Sequence, residues 1–308
     1  FSDEDLMERE LSYGRSGFQL QFMLDTRLSD ADRYPLKLSD LIVMGTNTED
    51  APEKPIWGSG HGQIVNDLPC VGLNGDRYYS PAFLQGDWIP YTGTVMAIDP
   101  SGRGTDETAV VVVKMLNGFL YLTAMRAYRD GYGDKTLEAI ANLAKEQKVN
   151  HVVIEANYGD GMFTKLLQPF FKRAEYACML EEVKHSKQKE MRIIDTLEPV
   201  MNQHRLVVDR KVVEWDYSST KDLPPETAYK YQMFYQMSRM TRDRGSLSHD
   251  DRLDCLAMAV AYWVEDRTEA GRVDEEGAED MGRRCEKKDV RIGCESRMGK
   301  WRDDEVCV

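Results

Sequence analysis

Residues 94–113 read TVMAIDPSGRGTDETAVVVV. The apolar run Val95 to Ile98 predicts a buried strand that delivers Asp99 at its exit; a glycine-punctuated loop follows, and Ala109 to Val113 predicts a second strand coming back. A carboxylate at the end of a buried strand is costly to desolvate, and a divalent cation is one way to hold it there as an anion. Asp99 therefore directs a search of the remaining chain for further ligands.

Downstream, Asn117-Gly118 is the strongest short hairpin signal in the chain, and the strand after it runs from Phe119 to about Tyr128. Three sequential antiparallel strands result. Asp134 is the expected N-cap of a helix ending near Lys148, with Leu137, Ile140, Ala141, Leu143 and Ala144 on its apolar face. HVVIE, His151 to Glu155, is a short buried strand that again ends on a carboxylate. A helix over 161–173, a weak strand over 176–183, a basic loop, a helix over 187–203 and a short strand over 206–208 complete an alternating α/β segment. Pro224 and Pro225 precede a helix expected over 226–240, Gly245 breaks it, and Ser248 is the expected cap of a last helix over 250–264.

Upstream, residues 1–28 carry a helical pattern closed by Pro35, and 45–93 are rich in Gly, Pro, Asn and Asp. The expected organisation is an N-terminal linker and irregular lead-in over 1–93, a core domain over 94–266, and a charged, mobile tail over 267–308. The chain opens on Phe1 rather than Met, as expected of a fragment or a processed product.

With 308 residues, 42% hydrophobic and 30% charged, the composition is that of a soluble globular protein, without the roughly 20-residue apolar run that spans a bilayer. Six scattered cysteines form no CxxC pair, so neither a zinc site nor a disulfide framework is encoded. The formal charge of -13 argues against coating nucleic acid by bulk electrostatics and leaves room for an enzyme with a local basic patch.

The element order, three antiparallel strands, a helix, a parallel strand and further α/β units, is that of the ribonuclease H-like fold. In it the first and fourth strands are neighbours about 4.8 Å apart, so Asp99 and Glu155 project into one site. The third acid is expected from SHDDRLDCLAMAVAYW, where Asp250, Asp251 and Asp254 lie in the first turn or so of the last helix. Carboxylates converging from separate elements suit two Mg²⁺ or Mn²⁺ ions in phosphoryl transfer, with no need for His or Cys ligands.

Four stretches, MAIDPSGRGTDETA, VVIEANYGDG, KQKEMRIIDTLEPV and SHDDRLDCLAMAV, resemble in their order the nuclease domain of the large terminase subunit of tailed phages, over about residues 94 to 264. The similarity is greatest to the terminases of short-tailed phages, also called DNA maturase B. FQLQFMLDTRLSDADRYPL resembles the segment that follows the ATPase in such proteins. The resemblance implies a Mg²⁺- or Mn²⁺-dependent endonuclease cutting concatemeric double-stranded DNA in the host cytoplasm, with metal ligands Asp99, Glu155 and an Asp of the 250–251 pair. Asp250 is favoured and Asp251 is kept beside it. Portal protein, small terminase subunit and an ATPase domain are the implied partners; no GxxxxGK[ST] loop is present, so the ATPase is not encoded here. Lys184, Lys187, Lys189 and Arg192 form the best basic cluster, and with Arg103 they are the candidate phosphate contacts. Two other readings are a non-catalytic docking module on the same fold and an actin- or sugar-kinase-like phosphotransferase using DPSGRGTDET as a phosphate loop.

Overall fold

The computed structural model describes residues 33–101, 106–156, 161–185 and 187–264. The helical pattern over 1–28, Arg103 and the charged tail lie outside the described residues. Within them, β4 (Gly93–Asp99), β5 (Thr108–Leu116) and β6 (Phe119–Tyr128) form the expected antiparallel trio. Asn117 and Gly118 turn β5 into β6 with φ of 48° and 85°, left-handed conformations that Asn and Gly adopt at little cost.

The remaining elements are α1 (Asp134–Glu146), β7 (His151–Glu155), α2 (Met162–Arg173), β8 (Met179–Val183), α3 (Lys189–Asn202), β9 (Leu206–Asp209), α4 (Arg210–Ser218), α5 (Pro225–Ala228), α6 (Met233–Arg239) and a helix α7 over 251–264. Upstream lie β1 (Ile42–Met44), β2 (Asp50–Ile56) and β3 (Phe83–Pro90). The main sheet has the order β1-β9-β6-β5-β4-β7-β8, with only β5 running against the others. This is a ribonuclease H-like mixed α/β architecture, and it puts the C-terminal ends of β4 and β7 side by side.

Strand parity assigns the two faces. Val95 and Ala97 of β4 and Val153 of β7 point into a core built with Ile193 and Leu197 of α3 and Leu253 and Leu256 of α7. Met96, Ile98, Val152 and Ile154 point the other way, onto α1 and α2. Asp99 and Glu155 continue the odd-numbered set, so they emerge on the face covered by α3 and α7.

Residues 36–43 and Tyr78, within the expected lead-in, pack into the main core. Leu36, Leu38, Leu41, Val43 and Tyr78 are buried in the same core as Val95, and β1 adds to the sheet edge beside β9. A three-residue strand is too short to show alternation, and β2 with β3 makes a two-stranded sheet whose partners are far apart in sequence. Three helix boundaries also differ from expectation. Gly133, not Asp134, occupies the cap of α1, leaving Asp134 in the first turn, where its charge suits the helix dipole. The helix expected over 226–240 is interrupted at extended Gln232, because the buried Asp216 carboxylate takes the N–H groups of Met233 and Phe234 (2.9 and 3.1 Å) and restarts the helix. Asp250 rather than Ser248 immediately precedes α7, and its carbonyl accepts the Asp254 N–H. α7 itself is buried on nearly all sides from Leu253 to Val260, not on one face.

Lys114 of β5 points between α1 and the β2–β3 layer, fully buried, donating to the carbonyl of Gln147 (2.6 Å) at the end of α1 and to that of Thr48 (3.0 Å) just before β2. Burial pushes its ammonium down to about 8, against the attraction of Glu49. A lysine with a lowered folded pKa costs stability fully below that value, and the cost disappears as pH rises toward the unfolded value of 10.5. Urea midpoints are therefore expected to rise from pH 7.5 to pH 9.5, and Lys114→Met to flatten the rise; an equal slope in the variant removes Lys114 as its source.

Candidate metal centre

Carboxylate oxygens of Asp99, Glu155 and Asp254 lie within 4.8 Å of one another, brought together from β4, β7 and the first turn of α7. Cys255, next along α7, places its thiol 3.2 Å from the Ala97 carbonyl and 3.4 Å from that of Ala109, so α7 rests directly on β4 and β5. This contact sets Asp254 at the height of the strand ends.

Two cations from the first turn of α3 face the acids. Arg192 Nη2 donates to Asp254 Oδ1 at 2.6 Å and stands 3.9 Å from Glu155. Lys189 Nζ bridges Asp250 (2.7 Å) and Asp254 (3.1 Å). Burial works against the Lys189 ammonium, but Asp254 and Asp250 more than offset it and hold its pKa above the usual lysine value. Burial, then the neighbouring Glu155, pushes the Asp99 carboxyl well above the usual carboxylate range. Asp254 Oδ2 is buried, and its contact is the Lys189 ammonium at 3.1 Å, outside hydrogen-bond geometry.

A second group, Asp106, His249 and Asp251, also offers ligand atoms within 4.8 Å of one another. His249 stacks on Tyr231 at 4.3 Å and points Nδ1 at Asp106 (3.7 Å). Burial raises Asp251 to about 6.

Of the sequence-derived set, Asp99 and Glu155 meet as expected. Asp250 does not join them: it sits behind Lys189, and its i+4 neighbour Asp254 takes the inner place. Asp251 turns to the second group. Arg192, expected as a phosphate contact, is 12% exposed and committed to the acids, so it faces inward. Lys189 is likewise bound to acids, though 36% exposed, while Lys184 and Lys187 lie exposed on the loop before α3. Sequence reading placed Asp254 in the first turn without choosing it, and it passed over Asp106. A cavity of about 290 Å³ lined by Thr46, Arg126, Gln147 and Asp209 includes none of the clustered acids.

The family model described as "Terminase Bacteriophage T7, Ribonuclease H-like domain" matches residues 98–206. The chain is 45% identical over 262 residues to "Terminase, large subunit" of Enterobacteria phage T3, a match covering 85% of this chain and 44% of that protein. It thus spans about half the length of this curated relative. Among solved structures, the large terminase nuclease of thermophilic phage G20c aligns with a TM-score of 0.40 at 10% identity, covering 74% of this chain and 98% of that one. The nuclease domain of the large terminase subunit gp2 of bacterial virus Sf6 aligns at 0.39 and 12% identity, covering 56% and 90%.

Proposed function

The chain belongs to the large terminase subunit family through its ribonuclease H-like domain, and from that premise we propose that it is a divalent-metal-dependent endonuclease that cuts concatemeric double-stranded DNA during genome packaging. The observation that carries this reading is the meeting of Asp99, Glu155 and Asp254 from three separate elements.

The donor set fits a hard cation. Among the described residues, the four carboxylates Asp99, Glu155, Asp250 and Asp254 are faced by two cations, Lys189 and Arg192, so negative charge is in excess. All the donors of this group are oxygens, as Mg²⁺ or Mn²⁺ prefers. Asp106, His249 and Asp251 offer a neighbouring position for a second ion. Bound there, divalent cations supply Lewis-acid activation of a water and charge neutralisation at the scissile phosphodiester.

The chain's own residues do the rest. Arg192 fixes the rotamer of Asp254 through its 2.6 Å bond, and Asp250 anchors Lys189 beside it. Lys189, partly exposed, is the cation placed to turn from its acids toward a phosphate once those acids are otherwise compensated. Lys184 and Lys187 extend this positive edge outward, making backbone contacts that carry no base readout. Positioning on DNA then belongs to partners: the portal, the small terminase subunit and the ATPase part of the large subunit, in the cytoplasm of the infected cell. No helix among the described residues is long and apolar enough to cross a membrane.

The test is supercoiled plasmid incubated with the purified chain and Mg²⁺, Mn²⁺ or EDTA, beside Asp99→Asn. Cutting that needs the metal and is absent in the variant is the expected result. A folded chain that cuts under neither metal returns the domain to a docking role.

A further inference from the structure

The first turn of α7 is tied to the start of β5 by a buried ionic network that touches none of Asp99, Glu155 and Asp254. Arg252 is 1% exposed. Its Nε and Nη2 grip Glu107 Oε2 at 2.9 and 2.8 Å, and its Nη1 donates to Asp216 Oδ1 and Ser219 Oγ, both at 2.9 Å. Its guanidinium also lies 5.2 Å from the Trp215 ring. Glu107 closes the seam from the other side: its backbone N–H lies near enough to the Asp251 carboxylate, next to Arg252 in the chain, to favour the ionised form. Residues 106–107 and 251–252 are thus joined by reciprocal backbone and side-chain contacts.

The location makes this more than a stabilising pair. Glu107 ends the connection that begins at Asp99, whose ends are also tied by the Ser101 N–H donating to Thr108 Oγ1 at 3.0 Å. Asp106 of the second acidic group precedes it, and Asp251 and Asp254 flank Arg252. A helix turn free to slide by one residue's rise, about 1.5 Å, would change the spacing of Asp254 from Asp99 and of Asp251 from Asp106 by a similar amount. Buried ion pairs contribute little net stability compared with well-packed apolar residues, and in some proteins their use is to fix register.

We infer that Glu107 and Arg252 form a positioning clamp that sets the spacing between the carboxylates of β4, β7 and α7, and hence the affinity of the site for divalent cations. This inference rests on the metal-site reading above. Glu107 and Arg252 act through Asp251 and Asp254, not on DNA. Arg129 supplies an internal comparison: it reaches the other oxygen of Glu107 at 3.3 Å, exposed Asp222 at 2.8 Å and the Tyr231 ring, all outside α7.

The experiment is Mn²⁺ binding, followed by electron paramagnetic resonance of free Mn²⁺ well below the melting temperature, for the wild-type chain, Glu107→Gln, Arg252→Lys and Arg129→Gln, with thermal melts of each. Loss of a supporting contact typically weakens metal binding 10- to 100-fold, so about tenfold or more is expected for Glu107→Gln, with an intermediate value for Arg252→Lys, which keeps the charge but not the two-pronged grip. Arg129→Gln is expected to lower the melting temperature and leave Mn²⁺ affinity unchanged. Unchanged affinity in folded Glu107→Gln, or in Arg252→Lys should the first variant not fold, overturns the clamp alone. A wild-type chain that binds no Mn²⁺ overturns the metal-site reading and the clamp with it.

Discussion

Asp254→Asn is expected to reduce Mn²⁺-dependent plasmid cleavage by about 10³-fold, while Asp250→Asn, one helical turn earlier, reduces it by no more than about tenfold. Both acids touch Lys189, so charge alone does not separate them. Geometry does. Asp254 is 2% exposed and shares the 4.8 Å group with Asp99 and Glu155; Asp250 is 20% exposed and lies outside that group. The Asn at 254 keeps the shape and can still accept from Arg192, so circular dichroism at the assay temperature should report a folded chain. Losing Asp250 lets Lys189 lean wholly on Asp254, which competes with a cation and accounts for the smaller expected loss. Equal losses in the two variants would make Asp250 a direct ligand and reduce Asp254 to a partner of Arg192.

The contrast between these two residues shows where sequence reading stops. Asp99 and Glu155 were legible because each ends a continuous apolar run, and a strand's period of two fixes the face on which the next residue emerges. The third acid was not, because α7 and the residue before it carry three aspartates within five residues, and α7 is buried nearly all round. Apolar periodicity that normally identifies the inward face of a helix is absent from such an element. What selects Asp254 is the seating of Cys255 on two strand carbonyls, a contact with no local sequence signature. The same holds for Arg192, whose charge suggested a phosphate contact. Its position at i+3 from Lys189 on α3 was visible, yet only the packing of α3 against α7 turns it inward. Glu107 and Arg252 carried no signal at all, being 145 positions apart. Residues 33–93 were read as irregular because their strands pair with β9 and with each other across long separations. The order of the elements from β4 to β9, carried by 3.6- and 2-residue periods, was readable.

Arg192→Met is expected to produce the largest loss of stability of any substitution at the site, and a loss that divalent metal partly reverses. Arg192 is the buried partner of Asp254 and the nearer cation to Glu155. Replacing it with an apolar side chain of similar length leaves Asp254 with Lys189 alone and restores repulsion among three acids in a site where burial already disfavours the ionised form of Asp99. Breaking a buried pair from one side typically costs about 3–5 kcal/mol, which for a domain of this size lowers the melting temperature by roughly 10 °C. The same change makes the pocket more negative, so Mn²⁺ should bind the variant more tightly and raise its melting temperature by more than it raises that of the wild-type chain. Melts with EDTA and with millimolar MnCl₂ separate the two contributions. If the loss is equally large in both, Arg192 is an ordinary packing residue of α3; if it shrinks with the metal, the guanidinium and the cation compensate the same carboxylates, and the inward turn of Arg192 is explained by the chemistry of the centre it faces.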